Sequence, residues 1–546
     1  MSTEKDLQYV DRDDRAADDM ADVKSLDEDA AKLAGASPQA WRWKMLTRTD
    51  ERAEMGYTQE MQRNFSVWSV LGVGFSLTNS WFGISAALTT GIRSGGPVLI
   101  VYGIILIFLI SICVGVSLSE LASALPNAGG QYFWANELAP KKYANFASYL
   151  TGWFAWAGSI FTSASVALAV GGALVGCYQL SHPELVVEQW MVVVGYEVVN
   201  AFCWFFNCYG KVLPTIAKVT LTTSLVSFFV ILVAVPASAP QHQSATFVFA
   251  TFFNQTGWNQ NGMAFIVGLI NTNWAFACLD CATHMAEEVA KPERMIPIAI
   301  MGTVGIGFVT SWFYSVSLFF SVADIDAVQL SATGVPVLEI FYQALPSKAR
   351  AIVLEVLIIL TGIGCQIASH TWQARLCWSF ARDRGLPASN YLSKIHPTLD
   401  VPLRAHSVSC FIVGLLGLLY LGSITAFGSM VAACIVLLYV SYAIPVVCLL
   451  IKGRDNIRHG PFWMGSFGLF ANVVLCTWTL FTIVMYSFPT LMPAEADTMN
   501  YVCVVYAIVI VIMLSYWFAR GKSTFRRRDL RHEEADVVLR RASVVR

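Results

Sequence analysis

The stretch Ile266-Val-Gly-Leu-Ile-Asn-Thr-Asn-Trp-Ala-Phe-Ala-Cys-Leu-Asp280-Cys-Ala-Thr-His284-Met-Ala-Glu-Glu288 changes from apolar to polar within the length of one membrane helix. Asp280, His284 and Glu287 follow one another at spacings of four and three, which predicts that they share one helical face. A carboxylate at membrane depth costs on the order of 3 kcal/mol unless water or a partner compensates it. The pattern therefore predicts an interrupted membrane helix that lines a cavity.

The composition is typical of an integral membrane protein. Of 546 residues, 56% are hydrophobic and 13% are charged, whereas about 25% of the residues in a soluble protein are charged. The net charge of −1 gives no reason to expect a nucleic-acid partner. The 13 cysteines lie mostly in apolar segments, so we expect packing roles and no disulfide framework. We also expect no metal and no cofactor, because the sequence contains no nucleotide loop and no His-Glu-x-x-His pattern.

Apolar segments of membrane length predict an all-α protein with twelve transmembrane helices. Residues 1–64 are acidic and predict a disordered cytosolic tail, and residues 65–520 are expected to form the twelve-helix membrane domain. The basic tail, residues 521–546, includes Arg526-Arg-Arg528, which suits contact with anionic membrane lipid. The predicted spans lie near residues 67–91, 97–118, 146–176, 190–209, 213–236, 263–285, 298–322, 350–378, 405–423, 426–451, 463–488 and 500–519.

The distribution of Lys and Arg predicts the orientation. Loops near residues 177–189, 237–262 and 489–499 contain neither residue, whereas the opposite loops are rich in both. Both termini are therefore expected in the cytosol, and the sequon Asn254-Gln-Thr256 is expected outside. Three basic residues fall on the side predicted to be outside and are exceptions to this distribution: Arg93, Lys348 and Arg350.

The first and sixth spans share a polar interruption. In the first span it is Ser76-Leu-Thr-Asn-Ser80, five spans before the interruption around Asn273. This spacing predicts two inverted repeats, at about residues 65–236 and 263–451, followed by extra helices at about 463–519. Interrupted helices leave backbone groups free near the midplane of the membrane, where a ligand site is expected.

Several motifs resemble the amino acid–polyamine–organocation transporter superfamily, over nearly all of the chain after residue 60. The resemblance implies a LeuT-like 5+5 inverted repeat with broken first and sixth helices. Within the superfamily the chain is most similar to the fungal choline permease branch, through Gly152-Trp-Phe-Ala-Trp-Ala-Gly-Ser159 and the segment Asn273–Asp280. The other motifs are Gly95-Gly-Pro97, Ser119–Tyr132, His284–Glu288 and Ser379–Pro387.

The resemblance implies a transporter of a small quaternary amine such as choline, with ethanolamine as a further candidate substrate, located in the plasma membrane. A trimethylammonium group donates no conventional hydrogen bond, so aromatic faces and a more distant carboxylate are left to select it. Trp274 is the leading candidate, and Asp280 is either the counter-charge or an internal hydrogen-bond anchor. The further candidates, which most often serve packing, are Trp81, Trp153, Trp156, Phe276, Ser76, Asn79 and Asn273.

Charged residues suggest how transport would be powered and gated. Lys218 resembles the lysine that replaces a sodium ion in proton-linked relatives, although it could instead extend to the inner interface. Glu287 and Glu288 are expected to pair with Arg375, Arg382 and Arg384 as a cytosolic gate, unless they only anchor the interface.

Three other functions stay open at this stage. A 4-aminobutyrate or amino acid permease is the alternative within the superfamily. A receptor that binds without transport is compatible with the same sequence. A membrane enzyme would use Asp280, His284 and Glu287 as acid–base groups, but no nucleophile motif accompanies them.

Overall fold

The structure is a computed structural model that describes residues 64–496 and 498–525. The predicted tails, at residues 1–64 and 521–546, lie almost entirely outside the described residues. Within the described part, every named element is helical, and a single backbone bridge joins Phe65 to Val289. The predicted all-helical class is therefore confirmed.

Ten helical segments in the described part are long and apolar enough to cross a bilayer. Their helices are α3 (Leu88–Ala124), α5 (Ala144–Ser181), α6 (Gln189–Phe206), α7 (Leu213–Ser238), α10 (Pro292–Phe320), α13 (Lys348–Arg382), α15 (Leu403–Gly417), α17 (Ile424–Lys452), α18 (Ser466–Met485) and α19 (Val502–Tyr516).

Shorter helices connect the long ones or belong to the interrupted segments. They are α1 (Val67–Thr78), α2 (Ser80–Ala86), α4 (Gln131–Leu138), α8 (Ala245–Phe249), α9 (Asn261–Trp274), α11 (Ile325–Gln329), α12 (Pro336–Ala344), α14 (Ser389–Leu392), α16 (Leu419–Gly422) and α20 (Lys522–Thr524).

The first predicted span is interrupted at Asn79, between α1 and α2. Its backbone is left-handed, with φ 30° and ψ 65°, a conformation that Asn tolerates better than most residues. The Asn79 amide donates a hydrogen bond of 3.1 Å to Ser224 Oγ. The polar residues predicted to break this span therefore do so, at a single residue.

The sixth predicted span breaks later than the sequence suggested. Asn271 and Asn273 stay inside α9, which ends at Trp274, and a 3₁₀ segment begins at Cys281. The Asn side chains find partners on neighbouring helices, so the polar residues do not disrupt the backbone of α9.

The predicted common face of Asp280, His284 and Glu287 is wrong. The 3₁₀ segment Cys281–Met285 and the turns after it replace the expected α-helix. A 3₁₀ helix has about three residues per turn, so the three side chains lose their common direction. Asp280 and His284 still meet, at 3.2 Å, but Glu287 pairs with Arg382 on α13.

The predicted tight turn at Gly95-Gly-Pro97 is present within α3. Gly96 has φ 64° and ψ −143°, a conformation largely restricted to glycine. A Cβ atom at Gly96 would lie 2.6 Å from the Phe253 ring. The two halves of α3 can therefore change direction and pack closely only because this residue lacks a side chain.

The long helices surround the two interrupted segments. α3 packs against α9 and α10, and α5 packs against α13 and α17. Outer helices carry large exposed apolar side chains such as Phe229, Phe411 and Leu480. Exposed apolar surface on this scale fits a protein surrounded by lipid.

Candidate functional site

The two interrupted segments contact each other directly. Thr78 Oγ1 donates a hydrogen bond of 3.1 Å to the carbonyl oxygen of Ala277. A Cβ atom at Gly83 would lie 2.7 Å from Ala275 Cα. Therefore α2 can approach the interrupted sixth span, called the sixth segment below, this closely only with glycine at that position. The interruptions therefore form one packed unit at the centre of the bundle.

A cavity of about 680 Å³ lies beside this unit, a volume within the usual range for small-molecule sites. We call it the aromatic cavity. Its walls come mainly from α2, α5, α13 and α17, with further residues of α3, α6, α9, α12 and α16. The loop residues 332–335, 490–491 and 498–500 complete them. The side chains used below are Phe82, Ser85, Ser165, Trp274, Glu355, Tyr420 and Phe427.

Trp274 lies in the wall of the aromatic cavity. The side chain is half-buried, and its indole N–H donates a hydrogen bond of 3.3 Å to Ser165 Oγ on α5. This bond fixes the ring orientation while part of the ring stays accessible. Of the nine residues predicted from the sequence to bind substrate, Trp274 is the one that the structure places in the cavity wall.

Four of the predicted polar or aromatic contacts are hydrogen-bonded elsewhere in the bundle. Asn79 and the Trp81 indole both donate to Ser224 Oγ. Ser76 Oγ lies 3.0 Å from Thr220 Oγ1. Asn273 donates to Tyr486 and accepts from Tyr439, both at 2.8 Å. These side chains hold the interrupted segments to neighbouring helices.

The remaining three aromatic candidates are packing residues in this structure. Phe276 is 1% exposed and lies against Gly307 of α10. The Trp153 indole donates to the Gly385 carbonyl at 3.2 Å, and the Trp153 and Trp156 rings are 5.7 Å apart. They form part of an aromatic cluster at the end of α13, outside the cavity wall.

Asp280 is fully buried and held by three side chains. Oδ2 accepts a hydrogen bond of 2.6 Å from Gln131 and lies 3.2 Å from His284 Nε2, while Oδ1 accepts from Tyr442. His284 Nδ1 lies 2.8 Å from the Ala128 carbonyl oxygen, which can only accept. The imidazole of His284 therefore lies between the Ala128 carbonyl and the Asp280 carboxyl group and contacts both.

Two ion pairs join the sixth segment to α13. Arg375 contacts Glu288 through two hydrogen bonds, of 2.7 and 3.1 Å, and its side chain is 1% exposed. Arg382 contacts Glu287 in the same way, at 2.8 and 3.3 Å. The predicted pairing is present for Arg375 and Arg382. Burial makes the Arg375 pair more costly to break than the surface contact that we expected.

Lys218 does not occupy the position expected of a buried cation. Its side chain is exposed on α7, whereas the neighbouring Ala217 faces Gly72 of α1. Only a small void of about 10 Å³ lies between α1, α7 and α13, next to Ala217, Thr220 and Gly364. The expectation of a buried Lys218 ammonium is therefore wrong, because the side chain points away from the helix contact.

Sequence reasoning missed most of the cavity wall. Phe82, Ser85, Ser165, Tyr420 and Phe427 gave no periodic signal that separates them from packing residues. Glu355 was visible as a carboxylate within an apolar span, but its role required the structure. Two other polar residues of its helix, Gln366 and His370, bond to each other at 2.9 Å and do not belong to the cavity wall.

Comparisons with known proteins agree over most of the chain. The family model for amino acid permeases matches residues 65–511. A choline transporter of Saccharomyces cerevisiae is 57% identical over 466 residues, covering 85% of this chain and 83% of that protein. A 7-keto 8-aminopelargonic acid transporter of the same yeast is 35% identical, covering 87% of this chain and 95% of that protein.

A plant relative extends the match. The amino-acid permease BAT1 of Arabidopsis thaliana is 30% identical, covering 86% of this chain and 94% of that protein. The residues matched by the family model contain both interrupted segments and every side chain of the aromatic cavity used above. The chain therefore belongs to the amino acid permease family of multi-pass membrane transporters.

Proposed function

We propose that this protein is a secondary active transporter that imports choline by binding its quaternary ammonium group in the aromatic cavity. The observation that carries the proposal is the 57% identity to a choline transporter over most of both chains. The cavity chemistry supports it, because Trp274, Phe82, Tyr420 and Phe427 supply aromatic side chains. The described lining residues include one acidic residue, Glu355, and no basic one. Ethanolamine would fit the same volume.

The membrane arrangement is part of the proposal. Ten continuous spans and the two interrupted segments would together make twelve crossings, with a LeuT-like 5+5 inverted repeat followed by α18 and α19. The contact between the interrupted segments supports this arrangement. The scarcity of Lys and Arg in alternate loops supports cytosolic termini. We place the protein in the plasma membrane by analogy with the resemblance described above.

Alternating access would use the ion pairs at the end of the sixth segment as the inner gate. The pairs Arg375–Glu288 and Arg382–Glu287 join the sixth segment to α13. The aromatic cavity, by contrast, is lined by the loop segments that the orientation places outside. These features support a conformation that is closed toward the cytosol.

The membrane potential could drive uptake of a cation without a coupled ion. A potential of about 100 mV corresponds to about 2.3 kcal/mol per charge, or roughly 50-fold accumulation. A proton gradient is the other candidate source of energy. Lys218, being exposed, has no part in this proposal.

A permease for 4-aminobutyrate or another amino acid is the second candidate. It is favoured by the relatives named for 7-keto 8-aminopelargonic acid and for amino acids. A substrate carboxylate would need donors, yet Asn79, Ser80 and Trp81 at the first interruption do not line the cavity. The described lining residues also include no Lys, Arg or His.

Uptake by the purified protein in proteoliposomes tests the proposal. We expect uptake of labelled choline when the lumen is negative, and competition by ethanolamine but not by 4-aminobutyrate. Empty liposomes and liposomes without a potential are the controls. Uptake of 4-aminobutyrate in preference to choline would replace the proposal by the second candidate, and binding of choline without uptake would indicate a receptor.

A further inference from the structure

Glu355 places a buried carboxylate in the wall of the aromatic cavity. It lies on α13 about two turns after Lys348, and 1% of its surface is exposed. Its Oε2 atom is buried and has no hydrogen-bond partner among the described residues. A carboxylate in this setting lacks the compensation that buried charges normally have.

No basic residue of the described chain neutralises Glu355. Among the described residues that line the cavity it is the only charged one. The ion pairs found in the described part of the chain involve Arg375, Arg382, Arg454 and His284, and none of them reaches Glu355. Glu355 therefore has no counter-charge among the described residues, and a bound monovalent cation would supply one.

The other carboxylates of the apolar spans are less suited to this role. Asp280 already accepts hydrogen bonds from Gln131 and Tyr442 and contacts His284, and it does not line the cavity. Glu197 on α6 lies beside Gly414 of α15, with Oε2 3.1 Å from the position of an added Cβ. Glu197 is also absent from the cavity wall.

We propose that Glu355 is the counter-ion of the substrate, and that its carboxylate binds a small monovalent organic cation in the aromatic cavity together with Trp274. The inference rests on the proposed transport function for its direction and adds the residue that selects for positive charge. Trp274 would supply an aromatic face to the methyl groups, and Glu355 would supply the long-range attraction that a neutral molecule of equal shape does not feel.

The test compares choline with its neutral carbon isostere, 3,3-dimethylbutan-1-ol, as ligands of the purified full-length protein. Binding is measured by isothermal titration or by thermal stabilisation, for the wild type, Glu355→Gln and Glu355→Asp. We expect Glu355→Gln to bind choline about 10- to 100-fold more weakly, the range for a partly desolvated charge pair. Binding of the isostere should change by less than about 2-fold, because it carries no charge.

Glu197→Gln is the matched control, since it neutralises an intramembrane carboxylate outside the cavity and should leave choline binding unchanged. The thermal stability of the ligand-free protein gives a second measurement. We expect Glu355→Gln to be about as stable as the wild type, because the replaced carboxyl group has no ion-pair partner among the described residues. If the Gln variant does not fold, the Asp variant still tests the inference, since moving the carboxylate should weaken choline binding selectively.

The outcomes separate the inference from the proposed function. Equal binding of choline by the wild type and Glu355→Gln would overturn the role of Glu355 and leave choline transport standing. If the wild type binds no choline, tetramethylammonium, ethanolamine and protonated 4-aminobutyrate esters are titrated instead. Glu355-dependent binding of one of these would overturn choline as the substrate and support the inference, whereas binding of none would overturn both.

Discussion

Thr78 Oγ1 donates a hydrogen bond of 3.1 Å to the carbonyl oxygen of Ala277. This bond joins the interrupted first span to the interrupted sixth span. Both groups are buried, and they come from positions 199 residues apart in the chain. The Ala277 carbonyl lies in the non-helical stretch between α9 and the 3₁₀ segment, where the backbone lacks a regular helical partner. The hydrogen bond therefore gives this carbonyl a partner from the other interruption.

Trp274 is expected to contribute a cation–π contact to ligand binding. Trp274→Ala should weaken choline binding by about 1–2 kcal/mol, or roughly 5- to 30-fold, whereas Trp274→Phe should keep part of the affinity because an aromatic face remains. Titration of the purified variants with choline measures both. Trp81→Phe is the control, since Trp81 lies outside the cavity wall. Wild-type affinity in a folded Trp274→Ala protein would show that Trp274 contributes to packing and not to ligand binding.

Asp280 is expected to act on stability more than on affinity. Asp280→Asn replaces the acceptor of Gln131 and Tyr442 and removes the charge beside His284, which should lower the free energy of unfolding by about 2–4 kcal/mol. Choline affinity of the folded variant should change by less than about 3-fold, because Asp280 does not face the cavity. Thermal melts and titrations on the same sample check this. A selective loss of affinity at unchanged stability would instead make Asp280 a direct partner of the cation.

The ion pair between Arg375 and Glu288 is expected to keep the inner side closed. Glu288→Gln removes one charge of a buried pair, and the exchange Glu288→Arg with Arg375→Glu restores opposite charges. A cysteine introduced at the buried position Ala282, in a background without other cysteines, reports access from the cytosolic side. We expect labelling about 10-fold faster in Glu288→Gln and partial recovery in the double exchange.

The pair Arg454–Glu120, with an N–O distance of 2.8 Å, provides the control for this experiment. Glu120→Gln also breaks an ion pair of low exposure, but one that does not involve the sixth segment. Its labelling rate at position 282 should equal that of the wild type. Equal rates in all variants would show that the Arg375 pair only stabilises the fold.

Lys218 is expected to be dispensable for coupling. Because the side chain is exposed on α7, Lys218→Ala should retain choline uptake within about 2-fold. Uptake in proteoliposomes, with potassium or sodium as the external cation, measures this. A loss of uptake in a folded Lys218→Ala protein would mean that Lys218 turns inward in another conformation. Sodium-dependent uptake would exclude a mechanism driven by potential alone.

The proposed orientation in the membrane predicts which introduced cysteines an impermeant reagent can label in intact cells. Gln255, in the predicted outer loop, is exposed, so a cysteine at this position should react with an impermeant reagent in intact cells. A cysteine at Arg458, in a predicted inner loop, should react only after permeabilisation. The reverse result at both positions would invert the proposed topology.

Local features of the sequence sufficed for the membrane class and for the existence of both interruptions. Hydropathy and segment length depend only on contiguous residues. Together they indicate whether a helix is surrounded by lipid or by water. The turn at Gly95-Gly-Pro97 was predictable because Gly96 needs a backbone conformation that few residues adopt. The pairing of Glu287 and Glu288 with arginines of α13 was also predictable, since buried charges must find opposite charges.

The tertiary structure alone decided which side chains face the cavity. The rotation of each helix about its axis depends on its neighbours, so Trp274 faces the cavity whereas Trp81 bonds to Ser224. The same dependence turns Lys218 outward, satisfies Asp280 with residues from distant helices, and leaves Oε2 of Glu355 without a hydrogen-bond partner among the described residues. A sequence shows that a polar group lies within an apolar span, but only the packing of all the helices determines whether that group is already satisfied or free to bind a ligand.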